Sequence, residues 1–279
     1  MTQSILNIAG YRFVDLPDHD QLIEPFQQKC QRLHLKGTIL LASEGINFFL
    51  AGVEQAIDDF VLFLEQDERL RGIPLKKSWT EYQPFNRMNV RRKKEIISVG
   101  MENIRPVEFT GPDMTPNELK EALDGNSNIR LLDTRNIYEM KIGTFENAID
   151  LKIDSFRDFP KAIQQLPESM KDEPIVMFCT GGIRCEKASA IMIEAGFKNV
   201  RQLKGGILGY FEEVGGDHWH GNCFVFDQRV AVNPQLIETG EVVCFACRTP
   251  LTLEEQQHAT YKVGVSCLYC AQTNLVSPK

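Results

Sequence analysis

The sequence of 279 residues lacks any apolar run of the roughly 18 residues that a membrane-spanning helix requires. Its first six residues contain neither a basic stretch nor a long apolar core, so no secretory signal is predicted. Internal repeats and low-complexity tracts are missing as well. Because 43% of the residues are hydrophobic and 25% are charged, these absences exclude a membrane span, a disordered chain, a fibrous repeat and a short disulfide scaffold. The length predicts two or three globular domains in a cytoplasmic protein, and it leaves the oligomeric state open.

Positive charge is scarce overall but concentrated in one segment. The chain has 31 Lys and Arg residues against 38 Asp and Glu residues, yet residues 76–105 hold eight cations and three acids. Five of these cations form a basic run that predicts contact with RNA or another phosphate-rich partner: Arg87, Arg91, Arg92, Lys93 and Lys94. The alternative is a solvated strand edge, where lysine discourages aggregation. The nearby aromatic residues Trp79, Tyr82 and Phe85 either stack an extruded base or pack in the core.

The pattern of apolar residues divides the chain into three regions. Residues 1–105 alternate strand-like and helical spacing in the order βαββαβ, which predicts a ferredoxin-like or acylphosphatase-like α/β domain. Proline and glycine mark a boundary over residues 105–115. Residues 115–220 alternate strands with helices, which predicts a doubly wound parallel sheet. Residues 221–279 are turn-rich and rich in cysteine.

The second region opens with residues that define a helix boundary. Thr115 is a capping residue, Pro116 suits the first helical position, and Glu118 completes a capping box. Gly125 lies where this helix is expected to end. Helical spacing also predicts helices over residues 158–166 and 184–195.

A cysteine follows the short apolar run of residues 174–178 and precedes a tight loop and a predicted helix. This order places the Cys179 thiol at the carboxyl end of a parallel strand, where open α/β sheets bind ligands. Loop amides, the helix N-terminus and Arg184 favour the thiolate, and such surroundings lower a thiol pKa from about 8.5. We therefore predict a reactive cysteine in an anion-binding loop formed by Thr180, Gly181, Gly182 and Ile183.

Other interpretations of this segment stay open at the level of residues. Cys179 is alternatively a buried structural cysteine, or the nucleophile of a phosphatase loop. Cys185 either resolves an oxidised Cys179 by forming a disulfide or is a small core residue in the first helical turn. Asp133 and Arg135, which end the preceding predicted strand, are expected to orient the loop rather than to take part in the chemistry.

Four of the eight cysteines form two CxxC pairs separated by 19 residues: Cys244 with Cys247, and Cys267 with Cys270. Each CxxC turn presents two thiolates to one tetrahedral ion, so this spacing predicts a zinc-ribbon-like site. All four positions are sulfur, which indicates a structural role for the metal. The alternative is two pairs without metal. His218 and His220 are weak candidates for additional ligands.

The loop sequence CTGGIRCEKAS (179–189) resembles the active-site loop of rhodanese domains, in which a cysteine carries sulfur as a persulfide. LDTR (132–135) with Tyr138, Glu139 and Gly143 resembles the stretch that precedes this loop, and QLKGGI (202–207) resembles the segment that closes the domain. Four residues separate Cys179 from Arg184, as in sulfur-handling rhodaneses, whereas the related phosphatases have one more. Thr144 departs from the pattern, because many rhodaneses have histidine there.

The combination of motifs resembles one family over nearly the whole chain, the rhodanese-domain tRNA uridine hydroxylases. The more restrictive motifs of this resemblance flank the loop. They are EGIN (44–47), PFNRMNVRRKKEIISVG (84–100), CFVFDQRV (223–230) and the paired CxxC tail. The resemblance implies an acylphosphatase-like domain, a rhodanese-like domain and a Cys-rich region.

The same resemblance implies that the chain converts the wobble uridine of tRNA to 5-hydroxyuridine with molecular oxygen as co-substrate, and that Cys179 is its active-site residue. No flavin fingerprint, haem motif or two-histidine-one-carboxylate iron site is evident. We expect Cys179, as thiolate or persulfide, to add to C6 of the uracil and make C5 electron-rich toward oxygen, with Arg184 and loop amides stabilising negative charge. The alternatives are a sulfurtransferase that moves persulfide sulfur to tRNA or a thiol, and a non-catalytic RNA-binding or redox-sensing module.

Overall fold

The first region of the computed structural model is a five-stranded sheet with two helices packed against it. The structure describes residues 4–271, so the first three residues of the predicted first region and the last eight of the third lie outside the described residues. The elements of this region are β1 (Ile5–Phe13), α1 (His19–Arg32), β2 (Lys36–Ala42), β3 (Gly45–Gly52), α2 (Glu54–Leu64), β4 (Lys76–Thr80) and β5 (Met88–Arg92). The predicted α/β order βαββαβ is confirmed, with β5 as an addition.

Strand order in this sheet is β4-β1-β3-β2-β5, and β5 pairs parallel with β2. Part of the basic run therefore lies on a sheet edge. Helix α2 buries the apolar stripe that the spacing predicts, and its Phe60 ring packs edge-on against Phe48 and Phe26. The turn between β2 and β3 needs Gly45, because its φ is +142° and a Cβ there would lie 2.0 Å from the Arg12 carbonyl oxygen.

The second region is a parallel sheet with strand order β6-β11-β10-β7-β9, flanked by helices. Its elements are β6 (Asp113–Met114), α3 (Pro116–Asp124), β7 (Arg130–Asp133), α4 (Ile137–Met140), β8 (Gly143–Phe145), β9 (Ile149–Asp150), α5 (Phe159–Ala162), β10 (Pro174–Phe178), α6 (Ile183–Glu194), β11 (Asn199–Leu203) and α7 (Gly206–Val214). The predicted parallel α/β sheet is confirmed.

Local helix predictions succeed where capping residues define both ends. Thr115 and Glu118 form the predicted capping box, and Gly125 is the C-cap of α3. The predicted helical segment over residues 158–166 is present over residues 156–165, but only α5 is α-helical and the 3-10 segments Phe156–Asp158 and Ile163–Gln165 adjoin it. The segment ends before Leu166, because Pro167 forces the preceding residue into an extended conformation.

The third region consists of short hairpins. Its elements are β12 (Trp219–Gly221), β13 (Cys223–Phe224), β14 (Ala231–Val232), β15 (Val242–Val243) and β16 (Pro250–Leu251). Strand β12 pairs with β8 of the second region, while β13 pairs with β14 and β15 with β16. Between residues 4 and 271, no helix has the length and apolar character needed to cross a bilayer.

Candidate active site

Cys179 follows directly after β10, whose last four residues are buried. The backbone then turns through residues 180–182, and α6 begins at Ile183, one residue earlier than predicted. The amide of Gly182 donates to the Cys179 sulfur at 3.1 Å, and Gly182 has a φ of +102° that disfavours other residues. The loop therefore curls around the sulfur as the sequence predicts.

The glycine pair of the LKGGI segment closes the base of this loop. A Cβ on Gly206 would lie 2.4 Å from the Cys179 carbonyl oxygen, so only glycine permits this approach. The amides of Ile207 and Leu208, in the first turn of α7, donate to the carbonyls of Cys179 and Thr180 at 2.9 and 3.0 Å. Two motifs that are distant in sequence thus hold one loop.

The two cysteines of the loop have different protonation properties. Burial favours the neutral thiol of Cys179, but the Cys185 thiol, the Arg184 guanidinium and two backbone amides outweigh it and lower the pKa of Cys179 to about 6. Burial and the adjacent Cys179 raise the pKa of Cys185 well above its ordinary value. Cys185 also lies 3.7 Å from the Thr134 hydroxyl. At neutral pH, the arrangement favours a thiolate at Cys179 beside a protonated Cys185.

The side chain of Arg184 is held by a carboxylate that sequence reasoning did not single out as a site residue. Its two terminal nitrogens donate to the Glu139 oxygens at 2.6 and 2.7 Å, and both side chains are buried. Burial opposes ionisation of Glu139, but Arg184 and Arg135 outweigh it and lower the pKa of Glu139. This pair keeps a charged guanidinium beside the thiolate. It also directs both terminal nitrogens of Arg184 toward Glu139.

Asp133 and Arg135 form a second buried ion pair, with a nitrogen–oxygen distance of 2.7 Å. Arg135 also donates to the Gly143 carbonyl at 2.6 Å, and the Thr144 hydroxyl donates to Asp133 at 2.9 Å. Thr144, the departure from the rhodanese pattern, therefore takes part in this pair. These contacts hold β7 to β8 beneath the loop, which supports an orienting role for Asp133 and Arg135.

A cleft of about 850 Å³ lies over the loop and is lined by both of the first two regions. Cys179 and residues 180–184 line one wall, and the ends of β1, β3 and β4 line the other. Tyr11 of β1 reaches across, and its hydroxyl donates to Glu186 of α6 at 2.9 Å. Burial, Glu186 and Cys179 raise the pKa of Tyr11, so this hydroxyl stays protonated.

A buried lysine joins the loop motif to two of the motifs that flank it. Lys187 of α6 is fully buried, and its ammonium lies 2.8 Å from Glu44 of the EGIN turn and 2.7 Å from Glu95 at the end of the basic run. Glu44 accepts the Ile96 amide, and Glu95 accepts the amides of residues 99 and 100. This cluster docks the first region onto the helix that carries Cys185.

The five cations of the basic run are all exposed. Lys93 lines the cleft, and Arg92 lies 3.3 Å from Asp20. Trp79 and Tyr82 are 49% and 41% exposed, so these two aromatic side chains are not core residues. Lys93 therefore brings the basic run to the cleft, and the exposed Trp79 and Tyr82 side chains lie in the same region of the fold.

The four C-terminal cysteines converge on one point. Their ligand atoms all lie within 4.8 Å of one another, and three of the sulfur pairs are 3.5, 3.8 and 3.9 Å apart. A tetrahedral zinc ion with four sulfurs at about 2.3 Å requires sulfur–sulfur distances of ~3.8 Å, whereas a disulfide requires ~2.05 Å. The donor set therefore fits zinc and excludes a disulfide. His218 and His220 instead contact Asp124 and Glu146.

Several residues of the site escaped prediction because their partners are remote in sequence. Glu139, Glu44, Glu95 and Lys187 all lie inside recognisable motifs, but nothing in the sequence indicates that these motifs meet. Tyr11 lies outside every motif. Glu44, Glu95 and Lys187 each have an ordinary surface character within their own segments, so no signal in the sequence indicates the cluster.

Comparison with known families assigns the first two regions. Residues 5–96 match the UPF0176 acylphosphatase-like domain family, and residues 115–213 match the rhodanese-like domain family. A solution structure of a rhodanese-like domain from Anabaena sp. is 24% identical, with a TM-score of 0.34, and covers 40% of this chain and 80% of that one.

Full-length relatives give a stronger result. A protein of Cupriavidus metallidurans named tRNA uridine(34) hydroxylase is 50% identical over 274 residues, which cover 96% of this chain and 97% of the relative. A protein of Burkholderia orbicola with the same name is 46% identical and covers 96% of this chain and 98% of the relative. These identities extend over all three regions. The chain therefore belongs to the tRNA uridine(34) hydroxylase family.

Proposed function

We propose that this protein is an oxidoreductase that hydroxylates C5 of the wobble uridine in tRNA, with molecular oxygen as co-substrate and Cys179 as the reacting group. The observation that carries the proposal is the lowered thiol pKa of Cys179 at the base of a cleft shared by two domains. Relatives that match nearly the whole chain and are named for uridine-34 hydroxylation support the choice of substrate.

The chemistry starts with the electrophilic C6 atom of uracil. In the proposed first step the Cys179 thiolate forms a bond to C6, and the electron pair of the C5–C6 double bond moves to C5 and the O4 carbonyl. Because both terminal nitrogens of Arg184 donate to Glu139, the loop amides take the main part in stabilising this negative charge. C5 then becomes nucleophilic toward oxygen.

The remaining steps balance as a four-electron reduction of oxygen, in which C5 of the uracil supplies two electrons and an external reductant supplies the other two. C5 forms a bond to one oxygen atom, the O–O bond breaks, and the second oxygen atom leaves as water after taking two electrons and two protons. Loss of the C5 proton and departure of the Cys179 thiolate restore the double bond in 5-hydroxyuridine. The electrons come from an external two-electron reductant of the thiol class.

A sulfurtransferase is the second candidate, and the rhodanese-like loop is the observation that favours it. In that reaction Cys179 carries a persulfide and delivers its outer sulfur to tRNA or to a thiol. The same loop amides and the same lowered pKa serve this chemistry, since a persulfide is also an anion. The sulfurtransferase reaction gives no role to the residues of the first region that line the cleft.

Nucleoside mass spectrometry distinguishes the candidates. Unmodified tRNA is incubated with the purified protein and a thiol reductant, in air and under argon, and separately with a persulfide donor. Wild type and Cys179→Ser are compared. A gain of one oxygen on uridine 34 in air, absent under argon and absent with Cys179→Ser, is the expected result.

Other outcomes assign the protein differently. A gain of sulfur that requires the persulfide donor favours the sulfurtransferase, and full hydroxylation by Cys179→Ser contradicts the role of the thiolate. Binding of tRNA by both forms, with no change of mass in any sample, indicates a binding or redox-sensing module.

A further inference from the structure

The CFVFDQRV segment contains one aromatic residue that folding does not explain. Cys223, Phe224 and Val225 are 0%, 7% and 6% exposed, whereas Phe226 is 47% exposed. The first three side chains belong to hydrophobic clusters of the second and third regions. Because the Phe226 ring is half exposed, it contributes less to stability than its three buried neighbours do. Folding stability therefore does not account for an aromatic residue at this position.

The residues after Phe226 hold its position rigidly. Arg229 pairs with Asp227 at 2.5 Å and donates to the Ser78 hydroxyl at 2.7 Å. The side-chain amide of Gln228 donates to the Asn86 side chain at 2.8 Å, and the backbone amide of Gln228 donates to the Pro84 carbonyl. Arg229 and Gln228 thus anchor the turn to the first region, and Phe226 is the residue that the anchored turn presents.

The ring of Phe226 faces the active-site cleft. It lines the cleft together with Cys179 and Gly181, and its centroid lies 5.9 Å from the guanidinium carbon of Arg184. Phe224 supports it edge-on at 5.2 Å, and Phe49 of β3 lies 6.3 Å away at a tilt of 48°. An aromatic surface from the first and third regions therefore lies above the loop of the second.

The charge of the same walls indicates the class of ligand. Cations outnumber acids in the lining of the cleft by six to four: Arg12, Lys76, Lys93, Arg157, Arg184 and Lys204 against Glu95, Asp113, Glu186 and Glu213. An apolar peptide would gain nothing from this set of cations, whereas a nucleotide places a planar base on an aromatic ring and its phosphates against lysine and arginine. The cleft volume of about 850 Å³ falls in the range of small-molecule sites.

We propose that Phe226, supported by Phe49, is the stacking platform on which the flipped-out uracil of nucleotide 34 rests above Cys179. This inference rests on the proposed function for the identity of the base. Enzymes that modify a base take it out of its stack and hold it against aromatic or apolar side chains. Stacking on Phe226 covers one face of the ring and leaves the opposite face to Cys179, which is the face from which a thiolate adds to C6.

The test compares Phe226→Ala and Phe226→Trp with wild type, with Phe109→Ala as a matched control. Phe109 is 51% exposed and does not line the described cleft. Single-turnover hydroxylation of uridine 34 is measured at tRNA concentrations below saturation. Phe226→Ala is expected to lower the rate by about 10- to 100-fold, and Phe226→Trp and Phe109→Ala to stay within about threefold of wild type. Thermal unfolding of each variant reports on its fold.

A second measurement keeps this inference separable from the proposed function. An anticodon stem-loop RNA with 2-aminopurine at position 34 is titrated with each form, because stacking on an aromatic ring quenches its fluorescence. Quenching by wild type that Phe226→Ala loses supports the platform even if no hydroxylation occurs. Equal quenching by both forms, or equal rates, overturns it. Absence of hydroxylation by wild type contradicts the proposed function alone.

Discussion

The loop around Cys179 and the four-cysteine cluster near the C-terminus use the same side chain in opposite ways. In the loop, one sulfur accepts a backbone amide at 3.1 Å and lies beside the paired guanidinium of Arg184. In the cluster, four sulfurs face one another at separations that fit a tetrahedral ion. Donors supplied by the protein make the first sulfur a stable thiolate, whereas the second group needs a cation from outside.

The contrast shows that the neighbours of a cysteine decide its chemistry more than burial does. Cys179, Cys223 and Cys267 are all fully buried. Burial raises the pKa of Cys223 to about 12, and the same burial at Cys179 is outweighed by the Cys185 thiol, Arg184 and the loop amides. Variants that each replace one residue of the loop or of the cluster measure what that residue contributes to activity, metal binding or stability.

Replacing Cys179 tests the reactive side of the comparison and has the largest expected effect. Cys179→Ser should lower hydroxylation of uridine 34 by at least about 1,000-fold, because serine forms no anion at neutral pH. Nucleoside mass spectrometry measures the product, and the zinc content should not change. Cys223→Ala, at an equally buried thiol, should retain activity. Retention of activity by Cys179→Ser would contradict the assignment.

Replacing a cluster cysteine tests the structural side. Cys247→Ser leaves three thiolates for the ion and should weaken zinc binding by more than about 100-fold. Metal analysis after dialysis against a chelator measures the loss, and Cys30→Ser in the first region is the control. Alkylation of Cys179 should stay at the wild-type rate. Zinc bound as tightly as in wild type would mean that the cluster does not hold the metal.

Replacing Glu139 removes the carboxylate that balances Arg184. Glu139→Gln leaves a buried guanidinium without its charge partner, which should lower the free energy of unfolding by about 3–5 kcal/mol. Urea denaturation measures the loss. The double variant with Arg184→Met should recover part of it, because the uncompensated charge is then gone. An unchanged unfolding midpoint for Glu139→Gln would show that the pair contributes little.

The pH dependence of alkylation has the smallest expected effect. Since the pKa of Cys179 is lowered to about 6, its thiolate is present above that pH and is lost as the pH falls through it. The rate with iodoacetamide should rise about tenfold between pH 5 and 8. Cys30, whose pKa burial raises to about 12, should stay unmodified. Peptide mass spectrometry measures the alkylation of Cys179 and of Cys30. A midpoint near pH 9 in the rate for Cys179 would contradict the prediction.

Features set by neighbouring residues could be predicted from the sequence. The helix boundary at Thr115, the loop after Cys179 and the CxxC pairs all depend on contacts within a few residues or on spacing alone. The edge strand β5 is one of two interpretations that the basic run leaves open, because pairing with β2 depends on the whole sheet. Short-range patterns do not determine which strand ends up at an edge.

Contacts between regions could not be predicted. Tyr11 and Glu186 are 175 positions apart, and Glu44 and Lys187 are 143 apart. Each of these residues has an ordinary surface character when only its own segment is considered. The docking of two folded units brings them together, and no periodicity within either unit carries that information. The pairing of Arg184 with Glu139 lies within the second region, but it too joins residues that are 45 positions apart and that no local pattern connects.

The buried contact of Lys187 with Glu44 and Glu95 also has a consequence for biosynthesis. During translation the first region leaves the ribosome and can fold before α6 has been made. Until then its two carboxylates have no ammonium to meet, and water must solvate them. Only after Lys187 emerges can the interface close and exclude that water. The cleft above Cys179 is thus completed late in synthesis, so a nascent chain acquires its first folded region before its active site.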